Sequence, residues 1–183
     1  MFKSLTNMLN SAVSAIHNPE TIEVYEFVHI YPNDFDYVLS KYNKKFDKEN
    51  LEQYGIIKCK IVGEEINGDI LRTRRIIDVN LSKLNFSIPE TILNYFDDKV
   101  IQIDHLVEIN KKNKLMTVTL KNITHPKINF NEVSTYQEIN DKTVFKLNAS
   151  LSVNIFFGVN ETIRKLWYLR YKFYYESDEF GQI

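Results

Sequence analysis

The sequence predicts an α+β fold in which a curved antiparallel sheet of about six or seven strands is covered by one long C-terminal helix. In the segment TVFKLNASLSVN (143–154) apolar and polar residues alternate, as is typical of a half-buried strand. From Val159 to Tyr174 apolar residues instead recur every three or four positions and form a helical stripe. Elsewhere strand patterns mostly follow one another. Because one helix cannot fill the hollow of so wide a sheet, we expect an internal cavity.

The composition fits one domain, predicted over residues 23–183, and narrows the function classes. The chain has 183 residues, 44% of them hydrophobic, with a net charge of -1, so no overall positive field favours nucleic acid. Cys59 is the only cysteine, which excludes an internal disulfide. The four histidines are far apart in the sequence, and we expect neither a metal site nor a cofactor.

Residues 1–22 form an amphipathic N-terminal extension. Its apolar residues share one helical face: Phe2, Leu5, Met8, Leu9, Ala12, Val13 and Ile16. The segment contains Lys3, no arginine, and no acidic residue before Glu20, so it partly matches a mitochondrial targeting sequence. A helix that covers the domain, or a poorly ordered terminus, explains the pattern equally well.

The first strand and the first helix follow this extension. The run from Thr21 to His29 has a strand pattern, and Asp34 then supplies the N-cap of a helix that extends to about Lys45. Basic residues crowd the end of this helix: Lys41, Lys44, Lys45 and Lys48. Because the helix macrodipole favours cations at a C-terminus, the cluster does not by itself require a ligand.

The next two strands form a hairpin that carries the first candidate binding residue. Residues 54–62 and 70–79 have strand patterns, and the turn sequence Asn67-Gly68 lies between them. One face of the second strand is predicted to be the more buried: Leu71, Thr73, Arg75, Ile77 and Val79. Arg75 is then an inward cation that needs an anionic partner.

An apolar loop with a short helix is predicted over residues 80–98. Loops of this length in a compact domain are often lids or binding loops. The loop is too apolar for a solvated tail, and we expect it to fold back as a lid through Leu84, Phe86, Ile88, Ile92, Leu93 and Phe96.

Three more strands are predicted at 100–109, 115–123 and 128–139. His105 alternates with apolar residues and therefore points inward. A lone inward histidine is more often a satisfied core residue than a catalyst, and no nucleophile can be placed beside it from sequence. The other residues predicted to line the cavity are Leu71, Ile77, Ile103, Val107, Leu147, Leu151, Ile163, Leu166 and Trp167.

Arg170, on the final helix, is the second candidate binding residue. It lies within the apolar stripe, between Leu166 and Tyr174. An unpaired buried charge costs roughly several kcal/mol, so the guanidinium needs a partner. That partner is either a carboxylate of the protein, solvent at the rim of the sheet, or a ligand.

Three segments together resemble the PRELI/MSF1 family, a branch of the START-like helix-grip lipid-binding domains. They are LRTRRII (71–77), the lid followed by DHLVE (104–108), and ASLSVNIFFGVNETIRKLWYLRYKF (149–173). The resemblance covers roughly Glu23 to Tyr175. The predicted order of the strands is also similar to that of the branch.

The resemblance implies a non-enzymatic carrier with a lipid-sized cavity. Such a carrier moves an acidic phospholipid, phosphatidic acid or phosphatidylserine, between the outer and inner mitochondrial membranes. It would work in the mitochondrial intermembrane space, with the cytoplasm as the alternative, in transient contact with membranes and with a small twin-CX9C helical partner. The family's head-group positions fall here on Arg75, Arg170, Lys172 and, loosely, Lys41, Lys44 and Lys45.

Two other functions stay open at the level of sequence. One is an enzyme or binding protein of the same broad fold that acts on a small hydrophobic ligand through His105 and an inward Asp or Tyr. The other is an interaction module without transfer, in which the cavity has collapsed and both Arg75 and Arg170 pair with carboxylates.

Overall fold

The computed structural model describes residues 22–84, 90–94, 97–124 and 128–153. Residues 1–21 of the predicted N-terminal extension and the predicted C-terminal helix, with Ile163, Leu166, Trp167, Arg170 and Lys172, lie outside these residues. Within them the elements are β1 (Ile22–Tyr31), α1 (Phe35–Lys44), β2 (Ile56–Asn67), β3 (Ile70–Asn80), α2 (Glu90–Leu93), β4 (Val100–Asn110), β5 (Leu115–Asn122), β6 (Ile128–Ile139) and β7 (Lys142–Val153).

The strands form one curved, open antiparallel sheet with the order β1-β7-β6-β5-β4-β3-β2. From β2 to β7 each strand pairs with the next one in sequence, and β1 pairs with β7. β1 and β2 are therefore the two edges of the sheet. The predicted antiparallel sheet of about six or seven strands is confirmed by the seven strands observed.

Helix α1 lies where the sequence predicts it and packs against the inner face of the sheet. The Asp34 carboxylate accepts a hydrogen bond of 2.8 Å from the Tyr37 amide, which is the expected N-cap. The apolar face of α1, formed by Phe35, Val38 and Leu39, joins a buried cluster that includes Phe145. This cluster fixes α1, and with it the residues that follow α1, over the sheet.

The predicted faces of β3 are confirmed. Thr73 and Val79 are buried on the inner face, whereas Arg72 and Arg74 are exposed on the outer face. The hairpin between β2 and β3 closes through Gly68, whose φ of 58° lies in the left-handed region that favours glycine. Together the alternation and the turn fix the register of β3, and hence the side on which each arginine lies.

The segment that was predicted to be a lid folds back onto the sheet at two of its described positions. Leu93, on α2, is 5% exposed in a cluster with Leu151, and Leu84 packs against the same cluster. The start of the segment is fixed by a hydrogen bond of 2.8 Å from the Asn80 amide to the Gly55 carbonyl. Phe86, Ile88, Phe96 and the side chain of Ile92 lie outside the described residues.

We expect Leu151→Ala to lower the free energy of unfolding by about 2–5 kcal/mol, because Leu151 is fully buried and the change leaves a cavity. Ile66→Ala is the matched control, since Ile66 is 78% exposed and its truncation should change stability by less than about 0.5 kcal/mol. Urea unfolding of both variants measures the difference. Equal losses would show that the sheet does not bury Leu151 as described.

Candidate anion-binding site

Strand β3 places Arg75 on the inner face of the sheet, next to the end of α1. Its guanidinium carbon lies 4.6 Å from the centre of the Phe46 ring, which follows α1 in the chain. Arg75 is half-buried and forms no salt bridge with any residue in the described part of the chain. Its positive charge is thus held against an aromatic ring, not against a carboxylate.

The neighbouring arginines on the outer face differ from Arg75 in this respect. Arg74 donates two hydrogen bonds of 2.8 Å to the Asp104 carboxylate, and Arg72 forms an ion pair with Glu108. These pairs are largely exposed, so each contributes little to stability. They show that β4 offers carboxylates to the outer face of β3, whereas opposite Arg75 it offers His105.

His105 is 3% exposed and lies directly across from Arg75 on β4. Its Nε2 atom is 2.6 Å from the Tyr42 hydroxyl, a hydrogen bond that joins the sheet to α1. The Phe46 ring centre lies 5.0 Å from that of the imidazole. Nδ1 is buried and has no hydrogen-bond partner among the described residues. The prediction that His105 points inward is confirmed.

Burial, together with the positive charges of Lys45 and Arg75, lowers the pKa of His105 to about 3. A contact with its own backbone acts weakly in the opposite direction. The imidazole is therefore neutral near pH 7 and adds a hydrogen-bonding group, not a charge, to the site. Such a low pKa also makes it a weak general base at neutral pH.

Of the three lysines predicted at the site, Lys45 is the one whose charge acts on His105. Its ammonium nitrogen lies 5.2 Å from the centre of the Tyr54 ring. Lys41 lies over the Tyr37 ring instead, at 5.6 Å, and Lys44 is exposed. Arg75 and Lys45 therefore form the positive region around His105, while a head-group role for Lys41 and Lys44 stays a prediction.

A row of five residues, three of them polar and here called the polar row, crosses the inner face at the level of Arg75. The strand register aligns Arg75, His105, Leu120, Glu132 and Ala149 on consecutive strands from β3 to β7. Glu132 is 2% exposed, and three strand spacings, about 14 Å, separate it from Arg75 along the row. Glu132 was not among the predicted site residues, although the alternation of β6 places it on the same face as Phe130 and Tyr136.

The predicted cavity residues that the structure describes lie on the inner face. Ile77, His105, Val107, Leu147 and Leu151 are buried, and Leu71 and Ile103 are half-buried against the same clusters. The cavity itself depends on the C-terminal helix and so lies outside the described residues. In the described part of the chain, no cluster of His, Cys, Asp or Glu could hold a metal ion, and no helix is long and apolar enough to cross a membrane.

Among solved structures, the chain is similar to the di-domain ARO/CYC BexL from the BE-7585A biosynthetic pathway. The two share 12% identity with a TM-score of 0.53, over 98% of this chain and 54% of that chain. The Zhui aromatase/cyclase from a Streptomyces species has 9% identity and a TM-score of 0.49, over 88% and 91% of the two chains. A START superfamily protein from Mycobacterium smegmatis has 11% identity and a TM-score of 0.45, over 81% and 92%.

These identities are too low to indicate a shared activity, and BexL supports the fold alone. A comparison with curated protein sequences finds no match. A family model described as the PRELI-like family matches residues 36–176. That match includes the site around Arg75 and most of the chain, and it confirms the resemblance seen in the sequence. The chain therefore belongs to the PRELI-like family.

Proposed function

We propose that the protein is a non-enzymatic carrier of an acidic phospholipid. The observation that carries this proposal is Arg75, an inward guanidinium that pairs with no carboxylate in the described ranges. Family and fold suggest a domain that binds a lipid or another ligand. A phosphate could therefore pair with Arg75, and hydrogen bonds between charged groups are about twice as strong as neutral ones.

The rest of the inner face suits the acyl chains of such a lipid. Apolar side chains surround the polar row on both sides, with Ile77 and Leu151 towards one end and Val107 and Leu147 towards the other. Each CH₂ group transferred from water to these surfaces contributes about 0.8 kcal/mol to binding. Lys45 supplies a second positive charge near the phosphate, and neutral His105 can hydrogen-bond without adding a third.

The resemblance to the PRELI/MSF1 family supports further proposals about the lipid head group, the compartment and the protein partner. We propose that the head group belongs to phosphatidic acid or phosphatidylserine, and that Arg170 and Lys172 add to the head-group contacts of Arg75. Transport would take place between the mitochondrial membranes, in the intermembrane space, with a small twin-CX9C helical protein as partner. Movement of the segment 80–98 at the membrane would admit and release the lipid.

The two alternatives receive less support from the described residues. An enzyme that uses His105 would have the Tyr42 hydroxyl as an orienting partner, but the pKa of this imidazole is about 3, which makes it a weak base at neutral pH. An interaction module with a collapsed interior requires Arg75 to pair with a carboxylate, and none of those described does so. A carrier of an anionic lipid needs neither a basic imidazole at His105 nor a carboxylate beside Arg75, so it agrees with both observations.

Arg75→Gln should reduce the transfer of fluorescent phosphatidic acid between liposomes by about tenfold or more, because it removes a charge-assisted hydrogen bond to the phosphate. Arg74→Gln is the matched control on the adjacent, outward-facing position. It should transfer lipid at the rate of the unchanged protein. Equal transfer by both variants would refute the role of Arg75, and equal loss would point to a nonspecific effect of charge.

Stability should fall as the pH falls from 6.5 towards 3. The unfolded chain binds a proton on His105 near pH 6.5, whereas the folded protein keeps that imidazole neutral down to about pH 3. Between pH 7 and pH 5, His105 alone should lower the free energy of unfolding by about 2 kcal/mol. Urea unfolding at the two pH values should therefore show that the free energy of unfolding falls less in His105→Gln than in the unchanged protein, by this amount. The same loss in both proteins would mean that His105 is not buried as a neutral group.

A further inference from the structure

We infer that the first half of β2, Ile57–Val62, is the surface that contacts a bilayer carrying acidic phospholipids, and that the lipid passes over it to reach Arg75. This surface is called the β2 edge below. The inference rests on the proposed function, since it names where the proposed carrier meets its membrane. It concerns a different part of the chain from the segment 80–98.

The β2 edge exposes large apolar side chains on a strand that, among the described residues, pairs with a neighbour on one side only. Ile57, Ile61 and Val62 are 49%, 51% and 46% exposed, and β2 is the last strand in the sheet order. By the strand register Ile61 lies on the inner side of β2 and Lys58 and Lys60 lie on its outer side, so the exposed edge carries apolar and basic groups along its two sides. Such a mixture is suited to the boundary between lipid head groups and acyl chains.

The charge of the β2 edge specifies the kind of bilayer. Lys58 and Lys60 are exposed, and neither forms a salt bridge within the described ranges. Acidic Glu64 and Glu65 lie farther along β2, beyond the bulge between Ile61 and Gly63. Two lysines that lie close to an anionic membrane surface attract it, so an acidic bilayer fits the β2 edge better than a neutral one.

The opposite edge of the sheet lacks this combination. On β1, Val24 and Val28 are 67% and 68% exposed, which makes them more accessible than the apolar residues of the β2 edge. Glu26 lies between them on the same face of the strand, where it would repel an acidic surface. β1 therefore provides a control that matches the β2 edge in exposed apolar side chains and differs from it in charge.

The β2 edge also lies next to the strand that carries Arg75. Ile61 and Arg75 are cross-strand partners on β2 and β3, so about 4.8 Å separates their backbones. Both face the inner side of the sheet, and Ile61 is half-exposed while Arg75 is half-buried. A phosphate that moves from a bilayer at Ile61 to Arg75 crosses a single strand and passes from solvent to the interior.

The test compares three proteins with the unchanged one in vesicle co-sedimentation. The apolar variant carries Ile57→Ser, Ile61→Ser and Val62→Ser, the charge variant carries Lys58→Gln and Lys60→Gln, and the control carries Val24→Ser and Val28→Ser. Vesicles contain phosphatidylcholine alone or with phosphatidic acid. We expect at least about tenfold weaker binding of the apolar variant to acidic vesicles, about fivefold weakening for each lysine removed, and unchanged binding of the control.

Binding of water-soluble dihexanoyl phosphatidic acid to the same proteins separates this inference from the proposed function, because it requires no bilayer. All three variants should bind it as the unchanged protein does, while Arg75→Gln should not. If no protein binds it, the proposed function fails whatever the vesicles show.

If the apolar and charge variants bind acidic vesicles as tightly as the unchanged protein, the β2 edge is not a membrane surface, and a protein partner would be the occupant to examine. Loss in the control equal to that in the apolar variant also overturns the inference.

Discussion

The contact between Arg75 and the Phe46 ring is the interaction on which the candidate site depends. It holds a half-buried guanidinium on the inner face of the sheet, where no carboxylate of the described residues pairs with it. The charge of Arg75 also acts on His105 of the neighbouring strand β4, where it lowers the pKa and so helps to keep the imidazole neutral. His105 in turn hydrogen-bonds Tyr42 and so joins the sheet to α1, which Phe46 follows two residues after its end. The cation, the ring and the imidazole thus form one unit.

The register of β3 decides which arginine belongs to that unit. Arg74 and Arg75 are adjacent in the chain, and a slip of one residue would exchange their faces. The register is held on the outer face, where Arg74 and Arg72 pair with Asp104 and Glu108 on β4. Each exposed ion pair contributes little to stability, yet together they favour one alignment over its neighbours, because a slipped strand would lose both. The two ion pairs on the outer face thereby help to keep Arg75 on the inner face.

Sequence periodicity predicts the elements and the faces well because both depend on neighbours along the chain. The N-cap at Asp34 and the inward positions of Arg75 and His105 follow from local spacing. The contacts within the site do not, since Tyr42 and His105 are 63 positions apart. Their meeting depends on how α1 crosses the sheet, and the same crossing brings Lys45, not Lys41 or Lys44, near the imidazole. A basic cluster at a helix end shows that cations are present without showing which of them face the interior.

The proposed carrier would have to bind an anion and also release it, and the described surroundings of Arg75 are compatible with both steps. A carboxylate beside the guanidinium would stabilise the empty protein and would compete with the phosphate for the same hydrogen bonds. A fully buried and unpaired guanidinium would destabilise the empty protein by several kcal/mol on the order-of-magnitude cost of desolvated ions. Half-buried against Phe46, Arg75 keeps part of its hydration and gains about 1 kcal/mol from the ring. The ring therefore offsets part of the cost of burying the charge, while no carboxylate among the described residues takes up the hydrogen-bond donors that the proposed lipid phosphate would use.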